Sequence, residues 1–215
     1  MSPLIHGLLA WLLAWAFLSK AGDRRLVVIA GVACDLDGVF VLFNHDLFLA
    51  YHHTFAHTFL FGVPVAIVAA ALAEDRWRTG LVALGAFALH LAADIVGTTL
   101  PVAPLYPLTS PSLSIAGIVP DSTVYGVIDP AVALLAVIAV GLIMYTREVS
   151  PFEFLSERFD RWAVPLYVYP LKRRCGFCGR RAATRCGSCG RAVCSTHGSG
   201  FRRVRCPECS RTIQP

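Results

Sequence analysis

The chain has 215 residues, of which 56% are hydrophobic and 15% charged, and its mean hydropathy is +0.61. This apolar share is too high for a soluble globular domain. The net charge of +5 is concentrated near the C-terminus, where eleven Lys or Arg residues and one acid, Glu208, follow from Lys172 onward. The composition therefore predicts an integral membrane protein with a basic tail.

Five apolar stretches of nearly membrane-spanning length follow one another along the chain. They cover residues 3–19, 26–43, 57–73, 80–97 and 126–146. A helix needs about 20 apolar residues to cross a bilayer, so each stretch is close to that length. We predict an all-α integral membrane bundle of about five spans over residues 1–146.

Basic residues mark one side of the predicted bundle. They lie after the first, third and fifth stretches: Lys20, Arg24, Arg25, Arg76, Arg78 and Arg147. The intervening segments 44–56 and 98–125 contain no Lys or Arg. Because short cytoplasmic loops are enriched in basic residues, we expect the N-terminus outside the cell membrane and the C-terminal tail in the cytoplasm.

Histidine and aspartate occur in four segments that are otherwise apolar. The residues are His6, Asp35, Asp37, His52, His53, His57, His90 and Asp94. Ionisable groups inside a membrane are costly and usually functional, and in the predicted orientation all of these lie towards the outer side. Imidazole and carboxylate ligands together suit a divalent metal, so we predict a shared site for one or more Zn²⁺ or Mn²⁺ ions. A proton or ion pathway and plain hydrogen bonding between helices are the alternatives.

The spacing of these residues indicates which of them can share a face. His90 and Asp94 are four apart on a helical stretch and therefore lie one turn apart on one side. His53 and His57 have the same spacing, but geometry leaves open whether His52 or His53 is the ligand.

Asp35 and Asp37 present a different problem, because residues two apart point to nearly opposite sides of a regular α-helix. If both bind, the helix must be interrupted nearby. Gly38 is the residue at which we expect such a break, since irregular backbone within a membrane is tolerated where it lines a site.

The order of these motifs resembles that of a known family. His6, Asp35-Leu36-Asp37, His52-His53-Thr54-Phe55-Ala56-His57-Thr58 and His90-Leu91-Ala92-Ala93-Asp94 are similar to motifs of the membrane-bound metal-dependent hydrolase family, the LexA-regulated inner-membrane proteins. The resemblance covers about residues 1–110 and aligns His52 with the first histidine of the family's third motif. Departures occur at Cys34, Gly38, His53-Thr54 and Ala56.

The resemblance implies a function as well as a ligand set. A family member would hydrolyse a phosphate ester or lipid-like substrate at the outer leaflet, with Asp37 and Asp94 as catalytic carboxylates and Asp37 accepting the proton of water. Two other classes stay open: a non-enzymatic membrane adaptor and an ion or proton transporter.

Seven of the eight cysteines lie from Cys175 onward. With one histidine they form four pairs of two-residue spacing: Cys175 and Cys178, Cys186 and Cys189, Cys194 and His197, and Cys206 and Cys209. Disulfides are disfavoured in a reducing cytoplasm, and eight soft ligands fill two tetrahedral sites. Residues 171–215 are therefore predicted to form a small domain with two structural Zn²⁺ ions. The order of the pairs resembles AN1 and B-box modules, which implies a cross-brace: pairs one and three bind one ion, and pairs two and four the other.

Arginines surround these pairs and suggest a partner for the tail. They are Arg173, Arg174, Arg180, Arg181, Arg185, Arg191, Arg202, Arg203 and Arg205. Anionic membrane lipids are the simplest partner for a module tethered beside a membrane, and a cytosolic protein is the next. The scarcity of aromatic residues among the arginines argues against nucleic acid.

Residues 147–170 connect the two predicted domains. Ser150, Pro151 and Glu153 match an N-cap, the first helical position and a capping box. The apolar residues then recur at helical spacing: Phe152, Leu155, Phe159 and Trp162. This pattern predicts an amphipathic helix on the cytoplasmic interface, or one that packs on the protein's own loops.

Overall fold

The protein is described by a computed structural model that covers residues 1–46, 48, 52–109, 111–200 and 204–211. The side chain of Trp162, and the residues Arg202 and Arg203, lie outside this description. The chain divides into two compact units, Met1–Val140 and Gly141–Pro215.

The first unit is helical. Its elements are α1 (Pro3–Phe17), α2 (Ala21–Val32), a 3₁₀ helix (Ala33–Leu42), α3 (Phe59–Leu72), α4 (Arg76–Gly97) and α5 (Asp121–Arg147), whose last turns extend into the second unit. A π-helical turn, Val124–Ile128, interrupts α5 near its start. The loop between α4 and α5 is pinned by a pair of backbone hydrogen bonds between Val102 and Leu113.

Two helices of the described chain, α4 and α5, are long and apolar enough to cross a membrane. Helices α1 and α3 are apolar but shorter. The predicted span 26–43 is shared between α2 and the 3₁₀ helix that follows it. A mostly helical membrane unit is therefore supported, and five complete spans stay a prediction.

Small residues allow helices α1 to α4 to pack closely. The core between them is built largely from alanine: Ala10, Ala14, Ala30, Ala66, Ala69, Ala83 and Ala86. A Cβ on Gly31 would lie 2.5 Å from Cβ of Ala10, and one on Gly62 would lie 2.5 Å from the Phe87 ring. Large side chains such as Ile67 and Leu72 are instead 63% and 70% exposed. Small residues inside and large apolar residues outside are typical of helices that pack in lipid.

Asp23 joins the start of α2 to the turn between α3 and α4. The backbone N–H groups of Glu74 and Asp75 each donate to its carboxylate at 3.0 Å. Neighbouring Arg24 donates to the carbonyl oxygens of Leu18 and Ser19. These charged groups therefore hold the ends of the helices in register.

The second unit contains short elements. They are a 3₁₀ turn (Pro151–Phe154), α6 (Glu157–Tyr167), α7 (Tyr169–Lys172), the antiparallel strands β1 (Thr184–Arg185) and β2 (Ala192–Val193), and α8 (Pro207–Arg211). Val164, Val168 and Tyr169 pack with Ala182 in a small apolar core.

The connecting segment differs from the single amphipathic helix predicted for it. Ser150 caps the 3₁₀ turn by accepting from the N–H of Phe152, and Ser156 caps α6 by accepting from the N–H of Phe159. A second capping serine six residues after the first divides the segment in two. The apolar residues of the predicted helix are divided between the two elements, with Phe152 in the 3₁₀ turn and Phe159 in α6.

Glu148 is a further junction within the second unit. Its carboxylate accepts hydrogen bonds from Arg173, at 2.6 Å, and from Arg185. Although partial burial opposes ionisation, the hydrogen bond from Arg173 and the charge of Arg185 lower the pKa of Glu148. The ionised carboxylate thus connects the end of α5 to α7 and β1.

Candidate metal centre

The eight predicted His and Asp ligands lie in four segments of the first unit. His6 is on α1, Asp35 and Asp37 are in the 3₁₀ helix, the three histidines His52, His53 and His57 lie in turns before α3, and His90 and Asp94 are on α4. The structure brings all of these residues into one cluster, most of them buried. Side chains that are far apart in sequence therefore meet at one level of the helical unit.

Asp94 is the centre of this cluster. Its Oδ1 accepts from His6 Nε2 at 3.0 Å, and its Oδ2 lies 3.1 Å from His90 Nε2. The Nε2 atoms of His57 and His53 are 3.4 and 3.6 Å from the same Oδ2. Four imidazoles from three segments therefore converge on one carboxylate, which is 2% exposed.

Asp37 orients two of the histidines. Its Oδ1 is 2.8 Å from His52 Nδ1, and its Oδ2 is 2.9 Å from His57 Nδ1. Because a carboxylate accepts, both Nδ1 atoms carry the proton, and each Nε2 keeps a lone pair for another partner. A carboxylate behind the imidazole is the usual support of a metal-binding histidine.

His90 is held in the same way by the main chain. Its Nδ1 donates to the carbonyl oxygen of Gly31 at 2.7 Å, which leaves Nε2 directed at Asp94 and Asp35. The His90 ring also stacks on His6, with ring centroids 3.7 Å apart. Two stacked cations would repel each other, and neutral imidazole is the form that binds metal.

Several buried ligand atoms of the cluster form no hydrogen bond among the described residues, because close contacts such as His90 Nε2 to Asp94 Oδ2 at 3.1 Å lack hydrogen-bond geometry. They are Asp35 Oδ2, His57 Nε2, His90 Nε2 and Asp94 Oδ2. Buried polar atoms are rarely left unsatisfied, and those near an ion-binding site are a recognised exception. The ligand atoms of His57, His90 and Asp94 lie within 4.8 Å of one another, as do those of His6, Asp35 and His90. This donor set fits a divalent ion.

Local backbone conformation explains how the difficult pairs converge. In a 3₁₀ helix, residues two apart are rotated by about 120° rather than the 160° of an α-helix, so Asp35 and Asp37 can lie on one side. The 3₁₀ helix begins at Ala33, five residues before Gly38, where the sequence predicted that the α-helix would be interrupted.

His53 has a left-handed backbone, with φ of 67°. This conformation is uncommon for a residue other than glycine, and it turns the chain so that His52, His53 and His57 form one group of ligand atoms. Spacing left open whether His52 or His53 is a ligand. In the structure both belong to the same group of candidate ligand atoms.

Two partners of the cluster were not predicted from the sequence. One is the carbonyl oxygen of Gly31, which cannot be recognised from a side chain. The sequence indicates this position only through the glycine itself, which close contact between helices requires. The other is the α-amino group of Met1, 3.0 Å from Asp94 Oδ1.

The Cys and His pairs of the second unit form two separate clusters. Cys175, Cys178, Cys194 and His197 make one, and Cys186, Cys189, Cys206 and Cys209 the other. This is the interleaved grouping that the cross-brace resemblance implies. Distances of 3.7 Å between Cys178 and Cys194 Sγ, and between Cys189 and Cys206 Sγ, equal the edge of a tetrahedron with ligands about 2.3 Å from its centre.

The backbone around these cysteines favours thiolates. Gly179 and Gly190, each directly after a Cys pair, have φ of 68° and 72°, which closes the turn that a pair needs. Although burial raises it, hydrogen bonds from the N–H groups of Cys189 and Cys206 lower the pKa of Cys186 to about 6. The clusters can hold metal ions such as zinc.

Comparison with known proteins identifies a family for most of the chain. The profile of the YdjM inner membrane protein family matches residues 1–153, and the chain belongs to that family. Neither the curated proteins nor the solved structures gave a match. Membrane localisation, predicted from composition, is supported by the family and by the two apolar helices.

Proposed function

We propose that this inner-membrane protein is a metal-dependent hydrolase whose site faces the outer side of the membrane. The observation that carries the proposal is the convergence of four imidazoles on Asp94, with ligand atoms between them that have no hydrogen-bond partner in the described part of the chain. If these side chains only formed hydrogen bonds between helices, fewer buried atoms should lack a partner, because polar side chains in a helical bundle usually find one.

The roles of the residues follow from their contacts. His57 and His90, each fixed through Nδ1, present Nε2 as ligands, and Asp94 supplies a carboxylate oxygen. A bound divalent ion would activate a water molecule and stabilise charge on a phosphoryl or acyl oxygen. Asp37 acts behind His57 as a positioning residue.

The proton of the attacking water needs an acceptor within the cluster. Both oxygens of Asp37 already receive imidazole N–H groups, whereas Oδ2 of Asp35 has no partner among the described residues. The geometry therefore supports Asp35 as the general base more than Asp37, which the family resemblance implied.

Apolar residues beside the cluster indicate the substrate class. Leu36, between Asp35 and Asp37, is 65% exposed, and Phe55, two residues before His57, is 63% exposed. Apolar surface next to a polar site suits an amphiphile whose head group reacts while its chain stays in lipid. A lipid-like phosphate ester of the outer leaflet is the substrate we propose.

The two clusters of the second unit are proposed to hold structural Zn²⁺. Each offers four protein ligands, which closes a tetrahedral site and leaves no position for water or substrate. This unit is therefore assigned a binding role in the cytoplasm, with no part in hydrolysis.

The test combines metal analysis with turnover of the full chain in detergent. We expect two zinc ions in the second unit and at least one further ion, and hydrolysis of short-chain phospholipids or model phosphate esters. Asp94→Asn should lose the further ion and reduce turnover by at least about a hundredfold, as expected when a metal ligand is removed.

Asp121→Asn is the matched control, because Asp121 is exposed at the start of α5 and lies outside the cluster. It should keep both metal content and turnover. A chain that holds only two ions, both lost on mutation of the cysteines, would contradict the proposal, as would full turnover by Asp94→Asn.

A further inference from the structure

The segment 150–160 has three apolar side chains outside and two of its three carboxylates inside, while Glu157 is exposed. Phe152, Leu155 and Phe159 are 40%, 63% and 39% exposed, whereas Glu153 and Asp160 are 3% and 7% exposed. Asp160 accepts from the backbone N–H of Ser150 at 2.9 Å and from its hydroxyl group. Water favours the opposite arrangement, so this surface suits a less polar environment.

The exposed apolar surface continues along α6 and α7. Leu166, Tyr167 and Leu171 are 50%, 58% and 73% exposed, while Val164 and Val168 are buried in the core. Phe159 and Leu166 are seven residues apart and therefore lie on one face of α6. The helices thus have one face on the core and a second apolar face that is exposed among the described residues of this unit.

Four arginines of the same unit carry positive charge with no ion-pair partner among the described residues. Arg158, Arg174, Arg180 and Arg181 are exposed and form no ion pair with any residue that the structure describes. By contrast, Arg173 and Arg185 pair with Glu148, and Arg191 pairs with Glu208.

Two of these arginines, Arg174 and Arg181, lie opposite each other in an antiparallel bridge. Like charges in that position repel, so the pair costs stability unless an anion compensates it. An external anionic surface would provide that compensation.

The position of this segment in the chain indicates that the less polar environment is a membrane surface. Helix α5, a candidate membrane span, ends at Arg147, and Pro151 begins the exposed segment four residues later. Four residues reach at most about 14 Å, so the segment must start close to the plane where α5 leaves the bilayer. Exposed aliphatic and aromatic side chains with adjacent arginines are typical of helices that lie in an anionic lipid interface.

We propose that residues 150–174 and Arg181 dock the second unit on an anionic phospholipid bilayer. The apolar side chains insert at the level of the head groups, and the unpaired arginines contact lipid phosphates. Nucleic acid is the less suitable partner, since it would leave Leu155, Leu166 and Leu171 uncovered. The proposal does not depend on the hydrolase function.

The experiment uses the full chain in nanodiscs of phosphatidylcholine with or without phosphatidylglycerol. Amide hydrogen exchange of residues 150–174 should slow when the anionic lipid is present. In the variant Arg158→Gln, Arg174→Gln, Arg181→Gln, the ratio of docked to free segment should fall by about fivefold for each arginine removed. Leu155→Ser with Leu171→Ser should speed exchange in both lipids.

Arg191→Gln is the matched control, because Arg191 is already paired with Glu208, and it should leave the exchange of residues 150–174 unchanged. Unchanged protection of β1 and β2 shows that each variant is folded. Exchange that is equal in both lipids would overturn the proposal. Equal protection by an added oligonucleotide in phosphatidylcholine discs would assign the surface to nucleic acid instead.

Discussion

Asp37 illustrates how a single carboxylate can organise a site without occupying its centre. It accepts Nδ1–H from His52 and His57 and so fixes which nitrogen of each ring is available. Asp37→Asn offers one carbonyl oxygen in place of two carboxylate oxygens, so only one ring can be held. We expect the affinity of the membrane site for Zn²⁺ or Mn²⁺ to fall by about 10- to 100-fold, measured by competition with a chelator.

Asp46→Asn is the control for this change, since Asp46 is exposed and lies outside the cluster. Its metal affinity should equal that of the natural chain. Unchanged affinity in Asp37→Asn would show that the imidazoles are held in place by packing alone.

At the scale of residues, the sequence predicted which side chains matter better than how they meet. His and Asp are conspicuous in apolar segments, so the cluster could be proposed from the sequence. The geometry of His52, His53 and His57 could not, because rules of helical spacing do not apply to the turns in which they lie. The left-handed backbone of His53 has no signal in residue type, since glycine is the residue that normally indicates it.

At the scale of elements, α2 couples helix packing to the site. Gly31 lets α1 approach, and its carbonyl oxygen accepts from His90. Gly31→Ala would place Cβ 2.5 Å from Ala10 Cβ, and overpacking of this kind costs about 1–3 kcal/mol. We expect a lower Tm in detergent and weaker metal binding at the His and Asp cluster, because the acceptor of His90 moves.

Gly22→Ala is the matched control in the same helix. A Cβ at Gly22 meets nothing within 4 Å, so alanine should leave the metal affinity unchanged and stabilise the helix by up to about 1 kcal/mol. If the two variants had equal Tm values, close packing at Gly31 would not limit the stability of the first unit.

Hydropathy predicted where the apolar helices lie but not whether each is an α-helix or a 3₁₀ helix. The stretch 26–43 is apolar except for Asp35 and Asp37, yet α2 ends at Val32 and a 3₁₀ helix follows. Mean hydropathy does not distinguish the two helix types, since it depends on composition alone. For the connecting segment, Ser150 was recognised as a cap because Pro151 and Glu153 follow it, whereas Ser156 was not, because Phe159 stands where a capping box has Glu or Gln.

At the scale of the whole molecule, the two units depend on different sources of stability. The first has a core of small residues, whereas the described part of the second has two small apolar clusters, one between α6, α7 and Ala182 and the other at the ligands Cys186 and Cys206. We expect a unit with so little apolar core to need bound metal for folding, since structural Zn²⁺ contributes about 10–16 kcal/mol in small zinc domains. A chelator should therefore unfold residues 173–211 and leave α1 to α4 protected, as measured by hydrogen exchange.

The interleaved order of the ligands makes this unfolding cooperative. Cys178 belongs to one cluster, but the chain must pass through the Cys186 and Cys189 pair of the other cluster before it returns with Cys194. Cys178→Ser should therefore lower the affinity of both clusters for metal. The affinity of the second cluster should fall by at least about tenfold, because the loop that carries its ligands is no longer closed. Cys34→Ser, in the first unit, is the control and should keep two tail ions. Retention of one ion at full affinity in Cys178→Ser would mean that the two sites fold independently, as in modules whose ligand pairs are sequential.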